Sequence, residues 1–375
     1  MSFLQKYLFI ACLFVSFSAL GQSTEVYQVK GVITDSLSKE TLPFANVFFS
    51  GTTFGTVSNK EGEFVLSATG PGTYDLVISF TGYDTFYQQV DLNQPGQIRL
   101  NVALVTDAKL IGGVTVTAKK DQKWRENLYT FKQTFLGKSE NAAEVRILNE
   151  EALDFDYDPK TRVFTAWANE PLIIENKALG YRLKYVLEDF VIYYQYNFSS
   201  FYGFPSFEDM NKRGKVPKRW VRARNKAYYG SVEHFFRELY QGNTLEAGFN
   251  VNSARDIEGM GRVFNSQEYD INGSVQLRPD SVRKRLDFDN LLYITYKNES
   301  PSPRYRTGFG RGNAPQLNTG GGQMSWIEIP EGVEGIDFEK TGYLINPLAF
   351  VLNGYWSFEK IADLMPTDFQ PIEQR

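Results

Sequence analysis

What most restricts the fold is a series of short strand signals between Tyr27 and Val105, each only a few residues long and each ended by a turn. Phe64 and Leu66, then Tyr74, Leu76, Ile78 and Phe80, alternate with polar or smaller neighbours, the period of strands with one buried face. Val29, Val32 and Ile33 open the series before a turn at Asp35, Ser36 and Ser38, and Ala45–Phe49 form a second strand. Asn59-Lys60-Glu61-Gly62 is a hairpin signal, because only glycine enters positive φ without steric cost. Gly82-Tyr83 bends the chain before Tyr87–Leu92, and Ile98–Leu104 closes the module. Seven or so short strands in about 80 residues predict a small β-sandwich. The 30 Phe and 22 Tyr agree, since these rings pack well on a pleated surface.

Five landmarks stand in order in this segment: Gly31-Val32-Ile33-Thr34-Asp35, Leu42-Pro43-Phe44-Ala45-Asn46-Val47, Gly51-Thr52 with Gly55-Thr56, Asn59 to Phe64, and Ser79-Phe80-Thr81-Gly82-Tyr83. On these residues the segment resembles the carboxypeptidase regulatory-like family of Bacteroidota. That resemblance implies a transthyretin-like sandwich without catalytic residues, of the kind found ahead of outer-membrane receptors and in other envelope proteins. The chain departs from the pattern at Asn59, where the family more often has Asp, and at Gly112-Gly113, where an acidic residue is usual. The second departure weakens any reading of Val114–Thr117 as an energy-transducer box.

Met1–Gly21 has one early cation, Lys6, an apolar run from Tyr7 to Leu20, and a small-residue ending, the pattern of a secretory signal cleaved before Gln22. The expected organisation is a signal over 1–21, the sandwich over 22–105, a linker over 106–121 and an α+β domain over 122–375. Within the last, Trp124, Leu128, Phe131, Phe135 and Leu136 fall at helical spacing and Gly137 ends the helix. A second helix is predicted from about Lys226 to Tyr240, with Tyr229, Val232, Phe236 and Leu239 as its apolar stripe. Strands are expected at 145–148, 153–157, 163–168, 181–187, 190–196, 275–277, 291–296 and 326–329. Phe135-Leu136-Gly137, Glu175 to Tyr181 and Asn353-Gly354-Tyr355-Trp356 are similar to segments of envelope proteins from the same phylum, a resemblance that implies location and architecture but no activity.

Composition excludes several functions. The formal charge is −4, and loss of Lys6 with the signal makes the chain more acidic, so nucleic acid is not an expected partner. The single cysteine, Cys12, lies inside the signal, leaving the mature chain without disulfide, thiolate metal site or cysteine nucleophile. A metallocarboxypeptidase needs two histidines and a glutamate on zinc, and His234 is the only histidine. No later run is long enough for a membrane helix. A receptor barrel of 22 strands does not fit in 120–375 at roughly 9–11 residues per strand. An eight-stranded barrel fits by length, but two amphipathic helices and the ending Pro371–Arg375 argue against it.

Several local patterns invite a chemical reading. Asp154, Asp156 and Asp158 mimic the opening of a calcium loop, but Pro159 stands where glycine is needed and Thr165 where the bidentate Glu belongs. They read as a strand with Phe155 and Tyr157 inward, turning at Asp158-Pro159. Ser231, His234 and Glu238 share a helical face, whereas a nucleophile sits on a sharp turn and meets partners from other elements; His234 therefore reads as a surface or cap-packing residue. Gly308, Gly310, Gly312 and Gly320–Gly322 lack the following Lys-Ser or Lys-Thr pair of a phosphate loop and read as a surface loop, whose Arg304, Arg306 and Arg311 are available to an anionic partner. Tyr193, Tyr194, Tyr196, Phe198, Phe201, Tyr202, Phe204 and Phe207 divide between core packing and a sugar-stacking surface.

The basic cluster Arg213, Lys215, Lys218, Arg219, Arg222 and Arg224, interleaved with Trp220, is the candidate partner-binding site, against a plain reading as a solvated loop leading into a helix. No catalytic, metal or cofactor-binding residue is assigned, and no cofactor is expected. The function expected from these residues is a non-catalytic, exported protein of the periplasm or outer membrane, with the sandwich as spacer or docking module and the second domain binding an envelope protein or a glycan. The rival is a carboxylate-dependent, glycosidase-like hydrolase using Asp287 and Asp289 or Glu188 and Asp189, because paired acids work without histidine or metal.

Overall fold

The computed structural model describes residues 25–107, 121–257, 261–280, 282–289, 291–308 and 321–372. The signal segment with Cys12, most of the linker, and Gly310, Arg311, Gly312 and Gly320 lie outside them.

The N-terminal strands are β1 (Tyr27–Asp35), β2 (Asn46–Phe49), β3 (Gly55–Val57), β4 (Glu63–Ala68), β5 (Thr73–Ser79), β6 (Phe86–Asp91), β7 (Gly96–Arg99) and β8 (Val102–Leu104). One sheet runs β4-β1-β7, with β8 also paired to β1, and the other β3-β2-β5-β6. Alternate residues of both sheets, among them Val29, Ile33, Val47, Phe49, Phe64, Leu66, Leu76 and Ile78, close the core between them, so the predicted two-sheet sandwich is present with eight strands. The sequence landmarks explain its corners. Gly62 takes φ +73° while Asn59 Oδ1 accepts from the N–H groups of Glu61 and Glu63. Asp35 accepts from Leu37 and Ser38 N–H, and the Tyr83 hydroxyl donates to its other oxygen at 2.8 Å, which joins the first landmark to the last.

The next unit contains α1 (Gln122–Phe135) and strands β9 (Val145–Ile147), β10 (Leu153–Asp158), β11 (Val163–Ala168), β12 (Leu172–Asn176), β13 (Tyr181–Tyr193) and β14 (Phe198–Asp209). The sheet order is β10-β11-β13-β12-β9, with β14 along the other edge of β13. The two strands expected at 181–187 and 190–196 are one, interrupted by an irregularity between Leu187 and Asp189. Such a bulge resets the side-chain alternation, which splits the hydrophobic pattern of a continuous strand. The stripe and stop of helix α1 are as predicted, with Leu128, Phe131 and Phe135 buried and Gly137 leaving it at φ +87°; Asp121, read as the end of the linker, caps it by accepting from Trp124 N–H. Its stripe packs on one face of the sheet with Phe164, Tyr185 and Phe190.

The third part comprises α2 (Lys218–Tyr228), α3 (Val232–Gln241), β15 (Phe249–Ile257), β16 (Gly261–Glu268), β17 (Val275–Leu277), β18 (Lys284–Leu286), β19 (Leu291–Tyr296), α4 (Pro303–Gly308), β20 (Gln323–Glu328), β21 (Ile336–Phe338), β22 (Val351–Gly354) and α5 (Tyr355–Phe358). A five-stranded sheet runs β16-β15-β19-β20-β22, beside a small β17-β18-β21 sheet. The single helix expected at 226–240 is instead two. Gly230 adopts φ +86°, Ser231 caps α3 by accepting from His234 N–H, and Tyr229, placed on the predicted stripe, is exposed. The glycine breaks the helix because its neighbour Ser231 offers a better end than continuation does. Phe235, Phe236 and Leu239 then seal the sheet.

The sandwich packs onto the rest of the chain. Phe48 and Val77 on its outer face meet Val186 and Phe204 of the six-stranded sheet in a small dry core. Polar links surround it: Gly51 N–H donates to Pro205 O at 2.7 Å and Phe207 N–H to Thr52 O at 2.9 Å, Thr73 N–H donates to buried Glu339, and the Tyr343 hydroxyl to Asp75 at 2.5 Å. The C-terminal segment 361–369 returns to the first helix and contributes Ile361, Ala362, Met365 and Phe369 to its core.

Candidate functional site

The basic cluster is largely helical rather than a loop. Arg213 and Lys215 precede α2, and Lys218, Arg219 and Arg222 lie on it, all five exposed. Spacings of three and four residues put Lys218 and Arg219 beside Arg222 on the helix surface. Two members of the predicted set do different work. Trp220 is half-buried; its indole N–H donates to Lys177 O at 2.9 Å, and its ring lies against Gly180, where an added Cβ would come within 2.2 Å of it.

Arg224 is withdrawn from the surface, only 2% exposed, so it is not available to a partner. Its Nε donates to Leu179 O at 2.7 Å, its two terminal nitrogens to Asp209 at 2.9 and 3.0 Å, and one of them also to Gly180 O at 3.1 Å. The guanidinium stands 4.0 Å over the Tyr181 ring. A planar five-donor group suits such a multiply accepted position, and helical spacing alone does not distinguish it from its solvated neighbours.

The remaining candidates separate by burial. Phe204 and Phe207 are core residues, while Tyr194 and Tyr196 are exposed on the turn joining β13 to β14 and Phe198 is exposed at the start of β14. Tyr157, expected inward, is 36% exposed and meets Tyr194 edge-on, because it lies at the open end of the sheet beyond the cover of α1. Asp158 closes its turn by accepting from Lys160 N–H and the Thr161 hydroxyl. An Arg304 N–H donates to Ser139 O at 2.9 Å, which ties this arginine to the segment that follows α1. The glycine-rich stretch begins with the short helix α4, where no helix was expected.

His234 is a packing residue, but a buried one, correcting the surface alternative. It is 4% exposed, Gly230 N–H donates to its Nδ1 at 3.1 Å, and the rings of Tyr228, Tyr229, Phe249 and Tyr296 surround it. Burial, with Arg237 adding repulsion, pushes its pKa down to about 4. Nearby Arg237 is also buried, donating to Glu233, Thr341 O, Thr367 O and Phe369 O, and locks the C-terminal segment to α3.

The acids of the rival reading are solvent-facing. Asp287 and Asp289 are exposed on either side of buried Phe288, and Glu188 and Asp189 are exposed at the irregularity in β13. Burial nonetheless raises the pKa of Glu188 against a hydrogen bond from Thr85, and further raised carboxylates lie elsewhere. A cavity of about 340 Å³ opens where Gly51, Pro205, Trp356 and Met365 converge, with Glu359, Lys360 and Asp363 in its wall. Burial raises Glu359 well above the usual carboxylate range, with Asp363 adding repulsion, and raises Asp363 despite donors from Ser139 and Asn141. Burial lowers Lys360, whose ammonium lies 5.4 Å over the Phe201 ring. Nothing in the sequence around residues 359–363 marked this group, because the partners come from segments more than 200 residues earlier. Among the described residues no cluster of three or more acidic, histidine or cysteine ligands has the arrangement of a metal site, and no helix is long and apolar enough to cross a membrane.

Comparison with known proteins places the N-terminal module. Residues 29–116 match the model of the CarboxypepD_reg-like domain. Over 107 residues the chain is 35% identical to the TonB-dependent receptor SusC of Bacteroides thetaiotaomicron, a match that covers 28% of this chain and 10% of the receptor. The chain thus spans about a tenth of the length of that curated relative. Solved structures with partial likeness include the pilus 2b backbone protein of group B streptococcus, at 16% identity and TM-score 0.19 over 22% of this chain and 42% of that one. A type II cohesin–X-dockerin complex of Acetivibrio cellulolyticus matches at 21% identity and TM-score 0.19, over 33% of this chain and 84% of that one. The N-terminal part is therefore a carboxypeptidase regulatory-like β-sandwich, and it is followed by a mixed α+β region.

Proposed function

We propose that this chain is a non-catalytic binding protein of the cell envelope, in which the sandwich and the α+β region act as one rigid platform and the exposed face of α2 docks an anionic partner, an envelope protein or a glycan of the outer membrane. One observation carries the reading: five exposed cations, Arg213, Lys215, Lys218, Arg219 and Arg222, stand on or beside a helix that Trp220 and Arg224 anchor to the body. Anchoring fixes the charges in space, and fixed charges bind with less ordering cost than charges on a free loop. The similarity of the sandwich to a receptor's segment supports an envelope setting.

Co-sedimentation of the full chain with purified outer-membrane vesicles tests the proposal. Binding is expected to fall at least tenfold between 50 and 500 mM salt and in the variant Lys215→Glu, Lys218→Glu, Arg219→Glu, Arg222→Glu. Protease treatment of the vesicles separates the partners, since it abolishes binding to a protein and spares binding to a glycan. Salt-insensitive binding, or binding unchanged in the variant, refutes the assignment of α2.

A further inference from the structure

Apart from α2, the molecule carries an unfinished sheet. Strand β3 is the edge of its sheet, paired only with β2. Phe49 N–H donates to Phe54 O and Ser58 N–H to Ala45 O, with Val47 opposite Thr56 between them. Backbone groups of an antiparallel pair alternate between facing the partner and facing away, so the N–H and C=O of Gly55 and Val57 face outward. Both residues are exposed, Val57 at 52%. Beyond this edge lies a groove of about 600 Å³, lined by Gly55, Thr56 and Val57 on one side and by Arg182, Lys184 and Ser206 of the six-stranded sheet on the other. The larger sheet thus continues past the place where the sandwich sheet covering it stops.

The groove has a charge preference. Glu208 is paired with Lys212 at 2.5 Å, Arg182 with Glu175 at 3.5 Å, and Asp209 with Arg224. Lys184, exposed, donates to Asn46 Oδ1 at 3.0 Å and has no carboxylate partner among the described residues. Arg182 Nε is buried without an acceptor. One cation without a carboxylate partner, Lys184, and the partly exposed guanidinium of Arg182 stand beside the outward backbone groups of Gly55 and Val57.

We propose that this groove takes an extended peptide segment of a partner protein, which adds as a strand to β3 and places an acidic side chain against Lys184 and Arg182. Main-chain hydrogen bonds to Gly55 and Val57 supply affinity and the cations supply selectivity, the division of labour in strand addition. The three residues of β3, at about 3.3 Å each, set the length recognised at three to four residues.

The test uses the full chain and fluorescein-labelled seven-residue peptides: one alternating valine and glutamate, one alternating valine and lysine, and the glutamate peptide N-methylated at alternate amides. Fluorescence polarisation is expected to show the glutamate peptide binding at least tenfold more tightly than the other two, with amide shifts at Gly55 and Val57 by NMR. Val57→Pro removes an outward N–H without touching the β2 pairing and is expected to weaken binding at least tenfold, and Lys184→Glu at least fivefold. The four-glutamate α2 variant is expected to bind the peptide like the wild type, so this inference and the α2 reading fail separately. Absence of binding by the glutamate peptide, equal binding of the lysine or N-methylated peptide, or loss of binding in the α2 variant each overturns the proposal. The N-methylated peptide leaves the protein unaltered and so decides the matter even if Val57→Pro folds poorly.

Discussion

Because His234 is the sole histidine, its titration is readable without assignment, and its surroundings make a strong forecast. Protonation puts a proton on Nδ1, which already accepts from Gly230 N–H, and places a charge among four aromatic rings and Arg237. The carboxylate of Glu238, 3.9 Å from Nε2, does not outweigh this, since burial also raises its own pKa. The folded pKa of about 4 lies below the ordinary imidazole value of 6.5, so the unfolded chain takes up the proton first. The stability this residue contributes is therefore complete above pH 6.5 and lost as pH falls toward 4. Linkage with those two values gives a loss of about 2 kcal/mol between pH 7 and pH 5. Glu233, next in sequence and paired with Arg237, is pushed up to about 8 by burial and gains stability as pH falls. The relevant quantity is consequently the difference between wild type and His234→Gln, measured by urea unfolding at both pH values. The imidazole signal is expected to stay neutral by NMR down to pH 5. Titration of His234 near 6.5, or a pH slope identical in the two proteins, refutes the reasoning.

Two further predictions concern the anchor of α2, read by urea or thermal unfolding of the full chain. Arg224→Ala is expected to cost about 2–3 kcal/mol, because it leaves the buried carbonyl of Leu179 without a donor and Asp209 without its cation, whereas Arg222→Ala, at an exposed position, is expected to change stability by less than about 0.5 kcal/mol; equal effects would mean that Arg224 is solvated. Gly180→Ala is expected to cost roughly 2–4 kcal/mol from left-handed strain at φ +71° and from overlap with the Trp220 ring, with a shift in tryptophan fluorescence, and a neutral result would mean the ring is not seated there.

The sandwich was legible in the sequence because its information is local: alternation of period two, turns with required positive φ at Gly62, and side-chain caps at Asp35 and Asn59. Helix α1 was legible for the same reason, with an apolar stripe and a glycine stop close together, although its cap at Asp121 was seen only in the structure. Strand β13 was misread where a bulge shifted its alternation, and the α2–α3 pair was merged because helical spacing persists across Gly230 even though the backbone does not.

The α2 cluster was visible as composition, yet the sequence could not divide it. Arg224 and Arg222 are the same residue type two positions apart, and only the arrival of Asp209 and the carbonyls of Leu179 and Gly180, from a different strand and turn, decides which is buried. The same holds for His234, for Glu359 with Asp363, and for the groove beside β3. Local chemistry fixes what each segment becomes, because its forces act within a few residues. Burial and electrostatic environment depend on which distant surfaces meet, so exposure, proton affinity and open strand edges were settled only when the separate sheets came together.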